Sequence, residues 1–168
     1  ASGEEIVTLV RRNVLPRTIM RREAFENAVK IDMALGGSTN TVMHLIAIAS
    51  EVGIKLDLDM FDEISKRTPH ITNILPGGEH FMEDLEYAGG IPAIMKRMKK
   101  SLSDVMTSSG KLISQIANDA QVLDADVIRD IKNAYHPEGG IAILRGNLAP
   151  EGAVVKQTAV SKAMMKFK

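Results

Sequence analysis

Apolar residues recur along most of this chain at the three-to-four-residue spacing of amphipathic helices. The pattern over residues 41–52 is the most apolar, because Met43, Ala47 and Ile48 add to its main stripe. A helix that is apolar on most sides is predicted to lie in the middle of a domain rather than at its edge. Helices or helical turns are predicted at residues 4–13, 22–35, 41–52, 59–66, 79–87, 91–98, 110–118 and 124–133.

Past residue 135 the pattern changes to short apolar runs that are separated by turns. Residues 141–144 and 153–155 are predicted strands, with turn signals at Gly146-Asn147 and at residues 150–152. Two strands do not make an independently stable sheet, so they either dock on the helices or open a larger β-rich domain, and we favour the second. We therefore expect a mostly helical part at residues 1–135 and the incomplete start of a β-rich domain at residues 136–168.

The most concentrated motif of the chain joins two predicted helices and runs Asp32-Met33-Ala34-Leu35-Gly36-Gly37-Ser38-Thr39-Asn40. The glycines end one helix, and Ser38 or Thr39 can cap the next by accepting its first amide hydrogens. This turn is either an ordinary corner between helices or a ligand-facing turn whose helix N-terminus suits an anion. Asp32 lies on the apolar stripe of the first helix, and we expect a structural hydrogen bond to the turn rather than a catalytic role.

Composition narrows the possible functions. The 168 residues carry 21 Lys+Arg and 21 Asp+Glu, and this zero net charge argues against a general nucleic-acid or membrane-surface partner. No apolar run reaches the roughly 18 residues of a membrane span, so a soluble intracellular protein is the simplest expectation. The chain has no Cys, which excludes a thiol nucleophile formed by its own residues, and its four His show no metal-ligand spacing. The sequence therefore predicts no catalytic set and no metal site within the chain.

Three blocks of the chain resemble the family of dihydroxy-acid and phosphogluconate dehydratases. They are ALGGSTN at residues 34–40, MEDL with AGGIPA at residues 82–93, and GGIAILRGNLAPEGAVVK at residues 139–156. The resemblance covers nearly the whole chain in the order and spacing of the family, and the last block is similar to the dihydroxy-acid branch. One departure is Ser109-Gly110-Lys111-Leu112, where the family usually shows Thr-Gly-Lys-Thr.

The resemblance implies a much longer lyase that removes water from a 2,3-dihydroxy acid to give a 2-keto acid in branched-chain amino-acid biosynthesis. It implies a mainly α segment of an α/β domain, followed by the first strands of a β-barrel-like swivelling domain. The family uses an iron–sulfur cluster, a magnesium ion and a base serine, and we expect all of their residues to lie outside this segment. The isolated chain is therefore expected to bind no cofactor and to be inactive.

Within this segment, the candidates for substrate binding are Gly36, Gly37, Ser38, Thr39 and Asn40. We expect these residues to form the buried N-terminus of the following helix, facing the cavity that holds substrate in the complete enzyme. We also expect a cytoplasmic homodimer or larger assembly, with a small-molecule dihydroxy acid as partner and no nucleic acid or membrane. The alternatives are a sugar-acid dehydratase fragment, an independent helical module that binds a small anion, and a purely structural interaction segment.

Overall fold

The computed structural model describes residues 2–165, which form helices followed by a two-stranded antiparallel sheet. The helices are α1 (Ser2–Arg11), α2 (Pro16–Ile19), α3 (Arg22–Leu35), α4 (Asn40–Glu51), α5 (Leu58–Arg67), α6 (Met82–Tyr87), α7 (Gly90–Met98) and α8 (Ile113–Asp119). The strands are β1 (Ala142–Gly146) and β2 (Ala149–Val155), and 3-10 turns cover Ile131–Asn133, Gln157–Ala159 and Lys162–Met164. The predicted order of a mostly helical segment followed by two strands is confirmed.

Helix α3 is the element that the two hydrophobic cores share. Its Phe25, Val29 and Met33 recur every four residues and therefore lie on one face, where they pack with α4, α5 and both strands. Ala34 belongs to a second core, which contains residues of α6 and α7 together with Ile71 and its neighbours. Because α3 contacts both cores, the turn that follows it lies at the junction of the two.

Helix α4 packs mainly through one face. Val42 and Ala49 are buried, whereas Met43 is 64% and Ile48 46% exposed. The prediction that this helix lies in the middle of the domain is therefore wrong for residues 2–165. Its apolar circumference is wider than the surface that the other described elements offer to it.

The strands dock on the helical part. The Ser65 hydroxyl of α5 donates to the Ile141 carbonyl at 2.5 Å, and Arg145 of β1 forms an ion pair with Asp59 of α5. Of the two alternatives for the strands, docking on the helices is the one observed, and a larger β-rich domain stays a prediction.

One local prediction differs from the structure, and another is decided between its two alternatives. Residues 150–152, expected to be a turn, belong to β2, and the hairpin turn lies at residues 147–148. Gly152 has a φ of 112°, which glycine adopts readily, so the glycine marks a distortion of the strand rather than a chain reversal. Residues 124–133 form turns and a 3-10 helix, which was the alternative to an amphipathic helix.

Candidate functional site

The Gly36-Gly37 pair ends α3. Gly36 adopts the left-handed conformation with a φ of 61°, and its amide donates to the Met33 carbonyl at 3.3 Å. The Gly37 amide donates to the Asp32 carbonyl at 2.9 Å. These two bonds form a Schellman motif, in which the left-handed position favours glycine because it has no Cβ. The predicted role of the glycines as a helix stop is confirmed.

The last carbonyls of α3 are also tied to distant parts of the chain. Helix C-termini leave such groups without intrahelical partners, so each needs another donor. The pairs are Met33 O with Gly140 N at 2.8 Å, Ala34 O with Ile71 N at 2.9 Å, and Leu35 O with Thr72 Oγ1 at 2.8 Å. The position of the turn is therefore set by segments that lie far from it in the sequence.

The backbone around the turn is packed so closely that it leaves no room for a side chain. A Cβ on Gly36 would lie 2.6 Å from His70 Nε2, and one on Gly37 would lie 2.1 Å from Asp32 Oδ1. On the facing segment, a Cβ on Gly140 would lie 2.3 Å from the Gly36 Cα. Gly140 thus packs directly against the turn, backbone to backbone, while the neighbouring Gly139 faces the Met33 side chain and the Ser65 hydroxyl.

Asp32 lies beneath the turn and is 8% exposed. Its carboxylate accepts hydrogen bonds from the Thr41 side chain and from the backbone of Ser38, as expected of a bond to the turn, and a structural rather than a catalytic role stays a prediction. Burial raises the pKa of Asp32 to about 6, although these hydrogen bonds and the positive charge of Lys156 act to lower it. Its Oδ2 has no hydrogen-bond partner among the described residues. A carboxylate of the protein itself therefore lies at the N-terminus of α4, where an anionic ligand was expected.

The first amides of α4 are already paired. The Asn40 amide donates to Ser38 Oγ at 3.2 Å, and the Thr41 amide donates to the Ser38 carbonyl at 3.0 Å. Ser38 therefore caps the helix, and Thr39 makes no capping bond with its side chain. Of the predicted site residues Gly36 is buried, Gly37 and Thr39 are partly buried, and Ser38 and Asn40 are exposed. The expectation of a buried helix N-terminus thus holds at Gly36 and is wrong at Ser38 and Asn40.

His70 lies on the other side of the glycine pair. Its ring stacks on that of His136, with centroids 5.4 Å apart and planes 8° from parallel, and its amide donates to the His136 carbonyl at 3.0 Å. His70 is 4% exposed, and burial, followed by the effect of His136, lowers its pKa to about 4. The imidazole is therefore neutral at pH 7, with an Nδ1 that has no hydrogen-bond partner among the described residues.

Lys156 is a third titratable group, whose charge acts on Asp32 and His70. It follows directly after β2, where Val155 pairs with Ala142, and so lies close to the segment that contains Gly140. Burial lowers the pKa of Lys156, while the attraction of Asp32 raises it.

The sequence reasoning did not assign His70, Gly140 or Lys156 to the site. The Gly-Gly pair at residues 139–140, one of four such pairs in the chain, is a signal that could have suggested a facing backbone.

The residues of this chain do not fit the metal groups that the resemblance implies. The sequence contains no Cys to ligate an iron–sulfur cluster. Within residues 2–165, no three His, Asp or Glu side chains are grouped so that they could hold a metal ion. In the same range, no helix combines the length and apolarity needed to cross a membrane.

Comparison with known proteins gives a consistent family. The model of the dihydroxy-acid/6-phosphogluconate dehydratase N-terminal region matches residues 1–116, and the model of the C-terminal region matches residues 126–168. Proteins named dihydroxy-acid dehydratase from Thermodesulfovibrio yellowstonii and Endomicrobium trichonymphae are 60% and 58% identical over 166 residues. One from Pelobacter propionicus is 53% identical over 167 residues. Each alignment covers 99% of this chain and 30% of the relative, so the chain spans about 30% of the length of these proteins. On these matches, the chain belongs to the dihydroxy-acid/6-phosphogluconate dehydratase family.

Proposed function

We propose that this chain is a segment of a dihydroxy-acid dehydratase, a hydro-lyase that converts 2,3-dihydroxy acids to 2-keto acids in branched-chain amino-acid biosynthesis. The observation that carries the proposal is the 60% identity, across 99% of the chain, to a relative of that name. We further propose that its helical part ends near residue 135, since strands replace helices beyond that point.

Within this enzyme, we propose residues 36–40 as a substrate-binding segment. Three hydrogen bonds from two other segments of the chain, residues 71–72 and Gly140, hold the preceding helix end in place, which favours a preorganised contact over a mobile loop. The exposed Asn40 side chain makes no hydrogen bond with the described residues. Its amide can therefore donate to a carboxylate or accept from a hydroxyl of a dihydroxy acid.

The role of this segment is to bind and orient the substrate. Removal of the C2 proton and departure of the C3 hydroxyl need a base and an acid, which this proposal does not assign to residues 36–40. In this proposal those two groups, together with the cluster and the magnesium ion of the family, come from other residues of the longer enzyme.

Two substitutions in the complete enzyme that contains this segment separate substrate contact from helix capping. Ser38→Ala removes the cap and should lower the free energy of unfolding by about 1 kcal/mol. Asn40→Ala removes no hydrogen bond within the described residues, so its melting temperature should stay at the wild-type value. If Asn40 contacts the substrate, the KM of the Asn40→Ala enzyme should rise about tenfold, since one hydrogen bond to a charged group contributes about 1.5–3 kcal/mol.

Asn133→Ala is the matched control, because Asn133 is also an exposed asparagine at the surface and lies in the 3-10 turn away from residues 36–40. Steady-state kinetics with a 2,3-dihydroxy acid and thermal unfolding should be measured for all three variants. If Asn40→Ala has the same KM and kcat as Asn133→Ala, the turn is only a corner between two helices and the site assignment is wrong.

A further inference from the structure

A groove with apolar walls lies between α3, α7 and the segment at residues 102–113. The volume of this α3–α7 groove is about 380 Å³, and most of the side chains that line it are aliphatic or methionine. Folded proteins seldom leave a continuous apolar surface of this kind in water unless it is an interaction site. Many of the lining residues are only half-buried, among them Ile31, Leu35, Ile91, Met95, Leu102 and Val105.

Hydrogen bonds hold one wall of the groove against α3. The Asn27 Nδ2 donates to the Ser103 carbonyl at 2.8 Å, and the Ser103 amide donates to Asn27 Oδ1 at 2.9 Å. The Lys30 ammonium donates to the Ser101 carbonyl at 2.9 Å. Because these bonds fix the segment after α7 relative to α3, the groove is preformed and does not depend on a mobile loop.

Asp32 is one of the few polar residues that line the groove. Its side chain is more than nine-tenths buried, and its Oδ2 has no hydrogen-bond partner among the described residues. Most buried polar atoms in folded proteins are paired. An occupant of the groove that brings a hydrogen-bond donor would supply the partner that residues 2–165 lack.

Further exposed apolar side chains lie on α1, which borders the groove. Arg12 of α1 donates to the Gly110 carbonyl at 3.3 Å, and the Gly110 amide donates to the carbonyl of Thr107, which lines the groove. On the same helix, Ile6 is 57% and Val10 72% exposed. A small dihydroxy acid cannot cover both the groove and this helix, so the apolar surface is of the size that suits a polypeptide segment.

The longer enzyme itself contains enough chain to provide such a segment. This chain spans about 30% of the length of its relatives, and every residue that lines the groove lies within residues 1–116, the part that matches the N-terminal region of the family. A tethered segment has an effective concentration in the millimolar range, which favours it over a separate partner. Because α1 is the first helix of this chain, residues that precede it in the longer enzyme are tethered beside the groove.

We propose that the α3–α7 groove is the docking site of a segment of the same polypeptide that precedes residue 1 in the longer enzyme. This inference rests on the proposed function, in which the chain is a segment of a longer dehydratase. The docked segment covers Ile31, Ile91 and Met95 with apolar side chains and donates a hydrogen bond to Asp32 Oδ2. It thereby holds α3, which ends at the glycine turn, against the rest of the enzyme.

Photochemical crosslinking of the complete enzyme tests this docking. The enzyme is produced with a diazirine analogue in place of methionine and irradiated, and the crosslinked peptides are mapped by mass spectrometry. Met95 lines the groove, whereas Met98 of the same helix is 1% exposed and packs in a core of this chain. Position 95 should therefore crosslink to residues that precede residue 1, and position 98 should crosslink only within residues 1–168.

Three results would overturn the docking proposal. Position 95 could react only with water or with residues 1–168, or it could crosslink two copies of the enzyme, seen as a product of twice the mass. A saturating dihydroxy acid could also abolish the crosslinks from position 95, which would make the groove a substrate site.

Dehydratase activity of the same enzyme, measured before irradiation, tests the proposed function separately. Activity without the expected crosslinks refutes the docking alone. The expected crosslinks in an enzyme that dehydrates no dihydroxy acid support the docking and refute the proposed function.

Discussion

Gly140→Ala should destabilise the protein through a single contact between two backbone segments. The new Cβ would lie 2.3 Å from the Gly36 Cα and 3.2 Å from the Gly36 nitrogen. Carbon atoms in contact are about 3.5–4.0 Å apart, so the two segments would have to separate by about 1 Å or more. Gly36 cannot move freely, because it belongs to the Schellman motif of α3, and the Gly140 amide is itself bonded to the Met33 carbonyl.

The substitution should lower the free energy of unfolding by about 3 kcal/mol, the upper end of the range for overpacking, because the atom that must move belongs to the backbone. For a chain of this size, 1 kcal/mol corresponds to about 2–4 °C in melting temperature. Gly140→Ala should therefore unfold about 6–12 °C below the wild type. The same displacement should reach the turn and alter the exposure of Ser38 and Asn40.

Gly146→Ala is the matched control, because a Cβ on Gly146 has no neighbour within 4 Å. Its stability should stay within about 0.5 kcal/mol of the wild type, as for most surface substitutions. Urea titration and thermal unfolding of both variants, followed by circular dichroism, give the comparison. If Gly140→Ala and Gly146→Ala melt within about 2 °C of each other, the close packing of residues 36 and 140 does not contribute to stability and the reasoning is refuted.

Three further outcomes are expected. The lowered pKa of His70 removes stability as the pH falls from 6.5 through about 4, and the raised pKa of Asp32 removes stability as the pH rises from 3.8 through about 6. As the pH falls from 6.5 to 4, the free energy of unfolding of Asp32→Asn, measured by urea titration, should therefore decrease by about 2 kcal/mol more than that of the wild type. Parallel profiles of the free energy of unfolding against pH for the two proteins would contradict this. Hydrogen exchange should be slow at the amide of Gly140, which is bonded to Met33, and fast at Leu148, which is 97% exposed; the reverse order would show that the strands do not dock as described. The 168-residue chain alone, which has no Cys, should form no 2-keto acid from a 2,3-dihydroxy acid even with iron, sulfide and magnesium supplied, and keto acid above a heat-treated control would refute this.

The features that could be predicted depend on residues close together in the chain. The apolar spacing of residues 22–35 predicted α3 over the range that the structure shows. The glycine pair predicted its end, because a left-handed residue without a Cβ is a local requirement of the motif. Hydrogen bonding of the Asp32 carboxylate, as acceptor, by the turn was also predictable, since a carboxylate on an apolar stripe needs a hydrogen-bond partner.

The sequence was a poorer guide to which helix is central. The wide apolar circumference of α4 indicated full burial, but α3 is the helix that both cores share. Periodicity shows how much of a helix is apolar and does not show which surfaces cover it. The exposed Met43 and Ile48 illustrate this difference.

By itself, the sequence indicated most of the helices, the approximate positions of the two strands, the glycine stop and, through its motifs, the family. Only the tertiary structure decided that the protein's own Asp32 carboxylate occupies the N-terminus of α4, and that Ser38 is the capping residue. It also decided that Gly140 and His70 pack against Gly36 at the turn. The physical reason is that helix ends and apolar helix faces follow from residues close together in the chain. The electrostatic environment of a turn and the room around its backbone depend instead on segments that folding brings together from distant positions.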